Sequence, residues 1–279
     1  MHTDSYFKIG SSHPICQDFA TSGLLKSIPY TIIADGCSGA KDSDWGARLL
    51  VRSLSENIYP GPLTDAYQIA GRLSQSHCRT LNLPNEALTA TLLSVSVVET
   101  GTPHRFQAAI FGDGCIVARR NDGTLEVISH EFSTGAPYYL RYNLDQESHL
   151  QYCKEFGEGQ LLITSTELGG TASKSHPINV ETLNVNNGDT LYIYDFPISE
   201  YNLVAVLSDG VKSFEKKVKT DTQISTTTVP MYSILLELFQ FKGYAGHFVQ
   251  RRCIKQFKVF EELGWSHFDD FSIGVMCRD

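Results

Sequence analysis

Short β-branched and aromatic runs, bounded by Gly, Pro, Asn and Asp, alternate along the chain with a few longer stretches of helical apolar spacing. The short runs predict strands at 30–34, 88–98, 105–111, 114–120, 125–129, 190–195, 203–207 and 271–277. Gly112-Asp113-Gly114 between two of them is a hairpin-type turn, and "NDG" at 121–123 leads into "TLEVIS", so this part reads as an antiparallel meander.

The helical stretches come in pairs. In "DSDWGARLLVRSLSENI", Ala47, Leu50, Val51, Leu54 and Ile58 form one stripe. Residues 65–81 place Ala66, Ile69, Ala70, Leu73 and His77 on another. A second pair, "PMYSILLELFQF" and "GHFVQRRCIKQFKVFEEL", stands near the end, with Phe248, Arg252, Phe257 and Phe260 on one stripe. Arg251, Lys255 and Lys258 beside that stripe read as a solvated basic face. The order is strand, two helices, many strands, two helices, strand. That is not the alternation of a parallel doubly wound fold; it predicts α+β architecture, antiparallel sheet between helices around a single core. Residues 130–160 and 213–229 read as irregular surface insertions.

Composition narrows the function classes. The 279 residues, with hydrophobic content of 42% and charged content of 19%, suit a single globular domain over 1–279. A net charge of −8 argues against a nucleic-acid partner, because a phosphate-binding surface needs an excess of Lys and Arg. No apolar stretch is long enough for a membrane span, and the first residues lack a secretory pattern, so a cytoplasmic protein is expected. The seven cysteines form no C-x-x-C pair, which argues against a disulfide framework or a structural zinc site. A monomer is the default expectation.

The chemistry concentrates in a repeated pattern: an apolar run ending in Asp-Gly. It occurs in "YTIIADGCSG" at Asp35, "FQAAIFGDGC" at Asp113 and "LVAVLSDGV" at Asp209; "FDDFSIGVMC" inverts it. One such pair is most simply a turn. Several, at the ends of antiparallel strands, can converge at one sheet edge, where carboxylates repel unless cations neutralise them. Carboxylate, carbonyl and water oxygens are the ligand set of Mg²⁺ or Mn²⁺.

These segments, in order, resemble the protein phosphatase 2C family of metal-dependent (PPM-type) serine/threonine phosphatases. "CQDFA" at 16–20 is similar to its first acidic motif, "IIADGCSGA" to its V-A-D-G-M-G-G loop, and "LTATLLSV" to its G-S-T-A strand. "AAIFGDGCIVARRNDGTLEVIS" is similar to its V-G-D-S hairpin, "VAVLSDGV" to its A-S-D-G element, and "FDDFSIGVM" to its closing D-N-x-T-V strand. The resemblance implies a four-layer α-β-β-α sandwich, two central antiparallel sheets flanked by helix pairs. It implies that Asp35 bridges two divalent ions (Mg²⁺ or Mn²⁺), with the Gly36 carbonyl as a further ligand. By the same resemblance Asp209 and Asp269 complete the first ion's shell. Asp18 and Gln17 support the second ion through water, and Asp113 with Asp209 matches a third site seen in many bacterial members. A metal-bridging hydroxide would then attack phosphoserine or phosphothreonine of a protein substrate, with a cognate Ser/Thr kinase system as the natural counterpart.

Three positions depart from the family pattern. His13 stands where many members have an arginine that grips the substrate phosphate, and an imidazole lacks the bidentate fork. Cys37 stands where eukaryotic members have a histidine proposed as general acid and bacterial members often have methionine. Gln17 replaces a common glutamate. Cys16, Cys37 and Cys115 lie within two residues of proposed site aspartates and read as small residues lining the loops. His13 favours an alternative, a pseudophosphatase using the same fold as a binding or regulatory module; a third reading is a metal hydrolase of small phosphoesters. The stretch 130–170, including "STGAPYYLRYNLDQ", falls where the family places a substrate-selecting flap.

Overall fold

In the computed structural model of the chain, residues 1–58, 62–98, 104–157, 160–169, 177–184, 191–219 and 224–278 are described. The elements in order are β1 (His2–Lys8), β2 (Phe19–Leu25), β3 (Ile28–Ala34), α1 (Ser43–Asn57), α2 (Leu63–Thr80), β4 (Leu92–Val98), β5 (Arg105–Phe111), β6 (Gly114–Arg120) and β7 (Leu125–Phe132). There follow α3 (Leu140–Leu144), α4 (Gln146–Phe156), β8 (Gln160–Leu168), β9 (Pro177–Asn184), β10 (Leu191–Pro197), β11 (Tyr201–Leu207), β12 (Phe214–Lys219), β13 (Ile224–Thr228), α5 (Met231–Leu238), α6 (Phe248–Glu262), β14 (Trp265–His267) and β15 (Phe271–Cys277).

Two antiparallel sheets face each other. One has seven strands in the order β1-β15-β11-β6-β7-β8-β9, the other five in the order β10-β5-β4-β3-β2. Helices α1 and α2 cover the five-stranded sheet, and α6 lies outside β1 and β15 of the seven-stranded one. The four-layer α+β arrangement is therefore present.

The expected single core is two buried layers separated by the seven-stranded sheet. Along β11, Val204 and Val206 face the inter-sheet layer, while Leu203, Ala205 and Leu207 face the layer under α5 and α6. Alternate residues of β15 divide the same way, Met276 to one side and Ile273 and Val275 to the other. Both faces of these strands are covered, which is why they read as unbroken apolar runs.

Four further expectations change. Gly112-Asp113-Gly114 is not a hairpin within one sheet: β5 and β6 belong to different sheets, and the turn carries the chain across. Gly112 and Gly114 have φ of 98° and 128°, a backbone that side-chain-bearing residues rarely adopt. The true hairpin is β6–β7, over "NDG". The described part of 213–229 is largely strand rather than irregular: β12 pairs with β13 and β14 in a small third sheet. The segment 130–160 contains the end of β7 and the helices α3 and α4. On α2 the buried stripe is Leu63, Ala66, Tyr67, Ala70, Gly71, Ser74 and Cys78, one position away from the expected one, leaving Ile69, Leu73 and His77 exposed. Small residues face inward there because α1 packs closely against α2.

Gly46 lets α1 approach the Asn85–Leu88 turn: a methyl group at position 46 would overlap the Ala87 carbonyl. Gly46→Ala should therefore destabilise the fold by about 3 kcal/mol, the range of forced overpacking, despite the better helix propensity of alanine. Denaturant titration checks this; a stabilised variant would mean that α1 is held less tightly than described.

Candidate active site

Strand register alone gathers the aspartates. Phe19 of β2 pairs with Ala34 of β3, so Asp18 and Asp35, one residue beyond each, leave the same end of the five-stranded sheet. In the other sheet, Leu207 of β11 pairs with both Cys115 of β6 and Ile273 of β15. Asp113, Asp209 and Asp269 all lie just outside that end. Because the sheets face each other, five segments far apart in sequence deliver acidic residues to one edge of the sandwich.

The backbone around them is tightly braced. The Asp35 N–H donates to Thr91 Oγ1 at 3.1 Å, and the Thr91 N–H donates to the Asp35 carbonyl at 2.8 Å. A Cβ on Gly36 would stand 2.8 Å from the Ser43 carbonyl and 3.0 Å from that of Gln17, so the loop after β3 can lie this close to α1 only with glycine. Gln17 Nε2 donates to Ser43 Oγ at 2.7 Å. The Gln17 side chain is thus committed to the start of α1.

Electrostatics tie the acids together. Asp18 is fully buried; Oδ2 accepts from Ser208 Oγ at 2.7 Å, while Oδ1 has no hydrogen-bond partner. Burial pushes its carboxyl up to about 7, with the nearby Ser272 and Ser208 hydroxyls opposing. Asp35 is driven well above the usual carboxylate range, first by burial and then by the negative charges of Asp18 and Asp209. Asp113 is pushed up to about 8 by burial and by Asp209, with Lys212 opposing. Asp269 is raised by burial and by Asp209. Lys212 itself pairs with Glu131 at 2.5 Å. The aspartates therefore repel one another with little cationic relief from the protein.

That arrangement fits hard divalent cations: an all-oxygen donor set, a buried carboxylate oxygen with no partner, and carboxylates whose mutual repulsion a cation would remove. Among the described residues no three His, Cys, Asp or Glu side chains stand ready-assembled around one metal position. The fit rests on chemistry and convergence.

Two neighbours of the cluster, Asp270 and Tyr139, are not singled out by the sequence, and the contacts of His13 are not legible there. Asp270, 1% exposed at its side chain, accepts from the Gly10 N–H at 2.7 Å and the Gln17 N–H at 2.6 Å, tying the segment before β2 to the start of β15. His13 lies between two acids, Nδ1 3.0 Å from Asp270 and Nε2 3.5 Å from Asp269, although Nδ1 makes no aligned hydrogen bond. Tyr139, at the start of α3, lies close to Cys37, Asp113 and Asp35; burial and these neighbours hold its hydroxyl protonated. Pairs such as Asp269-Asp270 do signal this chemistry, but nothing in the sequence says which member faces the pocket. Tyr139 gives no signal at all.

Two braced, facing antiparallel sheets with aspartates gathered at one edge define a phosphatase 2C-type architecture, and the comparisons agree. The family described as Protein phosphatase 2C matches residues 10–238. The chain belongs to that family. A search of curated proteins gives no match. Among solved structures, an Arg-to-Lys variant of a bacterial serine phosphatase superposes with a TM-score of 0.56 at 10% identity, covering 100% of this chain and 98% of that one. The serine/threonine phosphatase Stp1 from Staphylococcus aureus superposes with a TM-score of 0.53 at 10% identity, covering 100% and 96%. At such identities the likeness concerns the fold. No helix among the described residues is long and apolar enough to cross a membrane.

Proposed function

We propose that the protein is a metal-dependent phosphatase of phosphoserine and phosphothreonine in proteins. The observation that carries this reading is the convergence of Asp18, Asp35, Asp113, Asp209 and Asp269 from separate strand ends in a protein phosphatase 2C chain. Asp35, the Gly36 carbonyl, Asp209 and Asp269 are the residues that would hold Mg²⁺ or Mn²⁺, with Asp18 and Gln17 behind them and Asp113 toward a third ion. Bound there, such ions supply Lewis acidity and neutralise charge on the phosphoryl oxygens. The protein's own part is orientation. Thr91 fixes the Asp35 backbone from both sides, and Ser208 fixes Asp18. Gln17, bonded to Ser43, supports the loop instead of contributing charge. Residues 130–170 include α3 and α4, and Tyr139 brings this segment to the pocket, consistent with a role in shaping substrate access.

His13 motivates a second reading. Its ring nitrogens face Asp269 and Asp270, 3.5 and 3.0 Å away, so the imidazole is turned toward the acids. A phosphate would find no free fork there, as in a pseudophosphatase that binds without turnover. An assay of a phosphothreonine peptide and p-nitrophenyl phosphate with Mn²⁺ separates the two. Turnover that is lost on chelation and restored by Mn²⁺ is expected. Well-populated metal binding without turnover at any pH would overturn the catalytic reading in favour of the binding module.

A further inference from the structure

Far from the carboxylates, a cavity of about 320 Å³ opens between the segment after α5 and the first turns of α6, lined among others by Phe241, Lys242, Phe248, Arg251, Arg252 and Lys255. Four of its lining residues are Arg or Lys and none is Asp or Glu, in a chain of net charge −8. Their placement works against the helix itself. Arg251 and Arg252 sit near the positive end of the α6 dipole and Lys255 at its middle, while Glu261 and Glu262 sit at its negative end. Arg251 and Lys255, four residues apart, also repel.

Internal compensation is thin. Arg251 donates to the Ala245 carbonyl at 2.6 Å, and Arg252 donates to the carbonyls of Leu238 and Glu237. These neutral partners fix the guanidinium groups without cancelling their charge. Among the described residues the carboxylate nearest any of the four is that of Glu237, 3.9 Å from Arg252 and itself half-exposed. The floor is apolar: the rings of Phe241 and Phe248 meet edge to face, centroids 5.3 Å apart.

The cavity is separate from the aspartate pocket. The first N–H groups of α6, on Val249 and Gln250, are already taken by Asp4 of β1 at 2.7 and 3.1 Å. Gly10, which reaches Asp270 at the pocket, lies six residues further along that extended segment, roughly 20 Å away at about 3.3 Å per residue.

We propose that this cavity binds an organic polyphosphate of the nucleoside diphosphate class. Two guanidinium groups held by backbone carbonyls, with two lysines beside them, call for two or more negative charges close together, which phosphoanhydrides carry and a single carboxylate does not. The aromatic floor takes the apolar part of the ligand, and the volume matches the lower end of small-ligand sites. The site is independent of the phosphatase reading.

Calorimetric titration of the full chain in EDTA tests it, with ADP, inorganic pyrophosphate and a phosphoserine peptide as probes; without cations the aspartate pocket repels all three. ADP should bind saturably at one site, more weakly as salt rises, and more tightly than pyrophosphate. In the double variant K242Q/K255Q, at two exposed positions, ADP affinity should fall about tenfold or more. Its circular dichroism and phosphatase activity should not change. No saturable ADP binding at millimolar concentration, or unchanged affinity in the double variant, overturns the proposal. Pyrophosphate binding as tightly as ADP removes the organic moiety from it, and tighter binding of the peptide reassigns the cavity to a phosphorylated protein.

Discussion

Asp35→Asn is expected to reduce Mn²⁺-dependent phosphopeptide hydrolysis by about a thousandfold or more, with the fold intact. Structural tolerance follows from the bracing: the two Thr91 hydrogen bonds engage the Asp35 backbone, and the side-chain amide has nearly the carboxylate's shape. The catalytic loss follows from charge. An amide oxygen is a weaker ligand, and losing the Lewis-acid and charge-neutralising effect of a bound cation forfeits several kcal/mol of barrier reduction, each 1.36 kcal/mol being about tenfold in rate. Asp209→Asn should behave similarly, since Asp209 is the neighbour that Asp35, Asp113 and Asp269 all feel. Kinetics and Mn²⁺ titration of the same samples check this together. A variant that keeps near wild-type turnover would remove Asp35 from the centre.

Much of the site was legible because strand ends are legible. An apolar run stopped by Asp-Gly marks where a buried strand leaves the sheet, and in antiparallel sheets such exits share an edge. That pattern points to Asp35, Asp113 and Asp209, and the ordered resemblance adds Asp18 and Asp269; the strand registers bring all five to one edge. Strands lacking an apolar signature escaped notice. The edge strand β1, "HTDSYFK", buries only Asp4, because one side of it has no neighbouring strand. The shift on α2 has the same origin: Ile69 and Leu73 are apolar enough to claim the buried face by composition. Close neighbours select small residues instead, α1 at Ser74, which bonds Ser53, and α3 at Gly71, which lies against Leu140 and Leu144; size complementarity is a tertiary property. The sheet crossing at Gly112-Asp113-Gly114 looked like a hairpin because both need glycine with positive φ. Tyr139 and the His13–Asp270 contact depend on how loops fold over the edge, which no local pattern encodes.

The same carboxylates make stability depend on pH and on cations. For Asp18 and Asp113 the folded protein holds the proton up to about pH 7 and 8, while the unfolded chain releases it near pH 4. Their contribution is therefore fully present below about pH 4 and is lost as pH rises through 7 and 8. Each carboxyl can cost on the order of 1 kcal/mol per pH unit across that window. His130 works oppositely: burial depresses its imidazole to about 3, so its contribution is intact above about pH 6.5 and fades as pH falls toward 3. Cation-stripped protein should melt progressively lower from pH 6.5 to 8, by roughly 2 °C per kcal/mol for a chain of this size. Saturating Mn²⁺ should restore the melting temperature most at pH 8, by about 3 kcal/mol at a hundredfold excess over Kd. Asp113→Asn removes one repelling charge without emptying space, so it should raise the cation-free melting temperature at pH 8 and leave it unchanged at pH 4. Thermal melts of both proteins with EDTA and with Mn²⁺ decide the matter. Equal pH slopes in the two would show that the Asp113 charge is already balanced in the folded protein, and that the strand ends do not form a repulsive centre waiting for a cation.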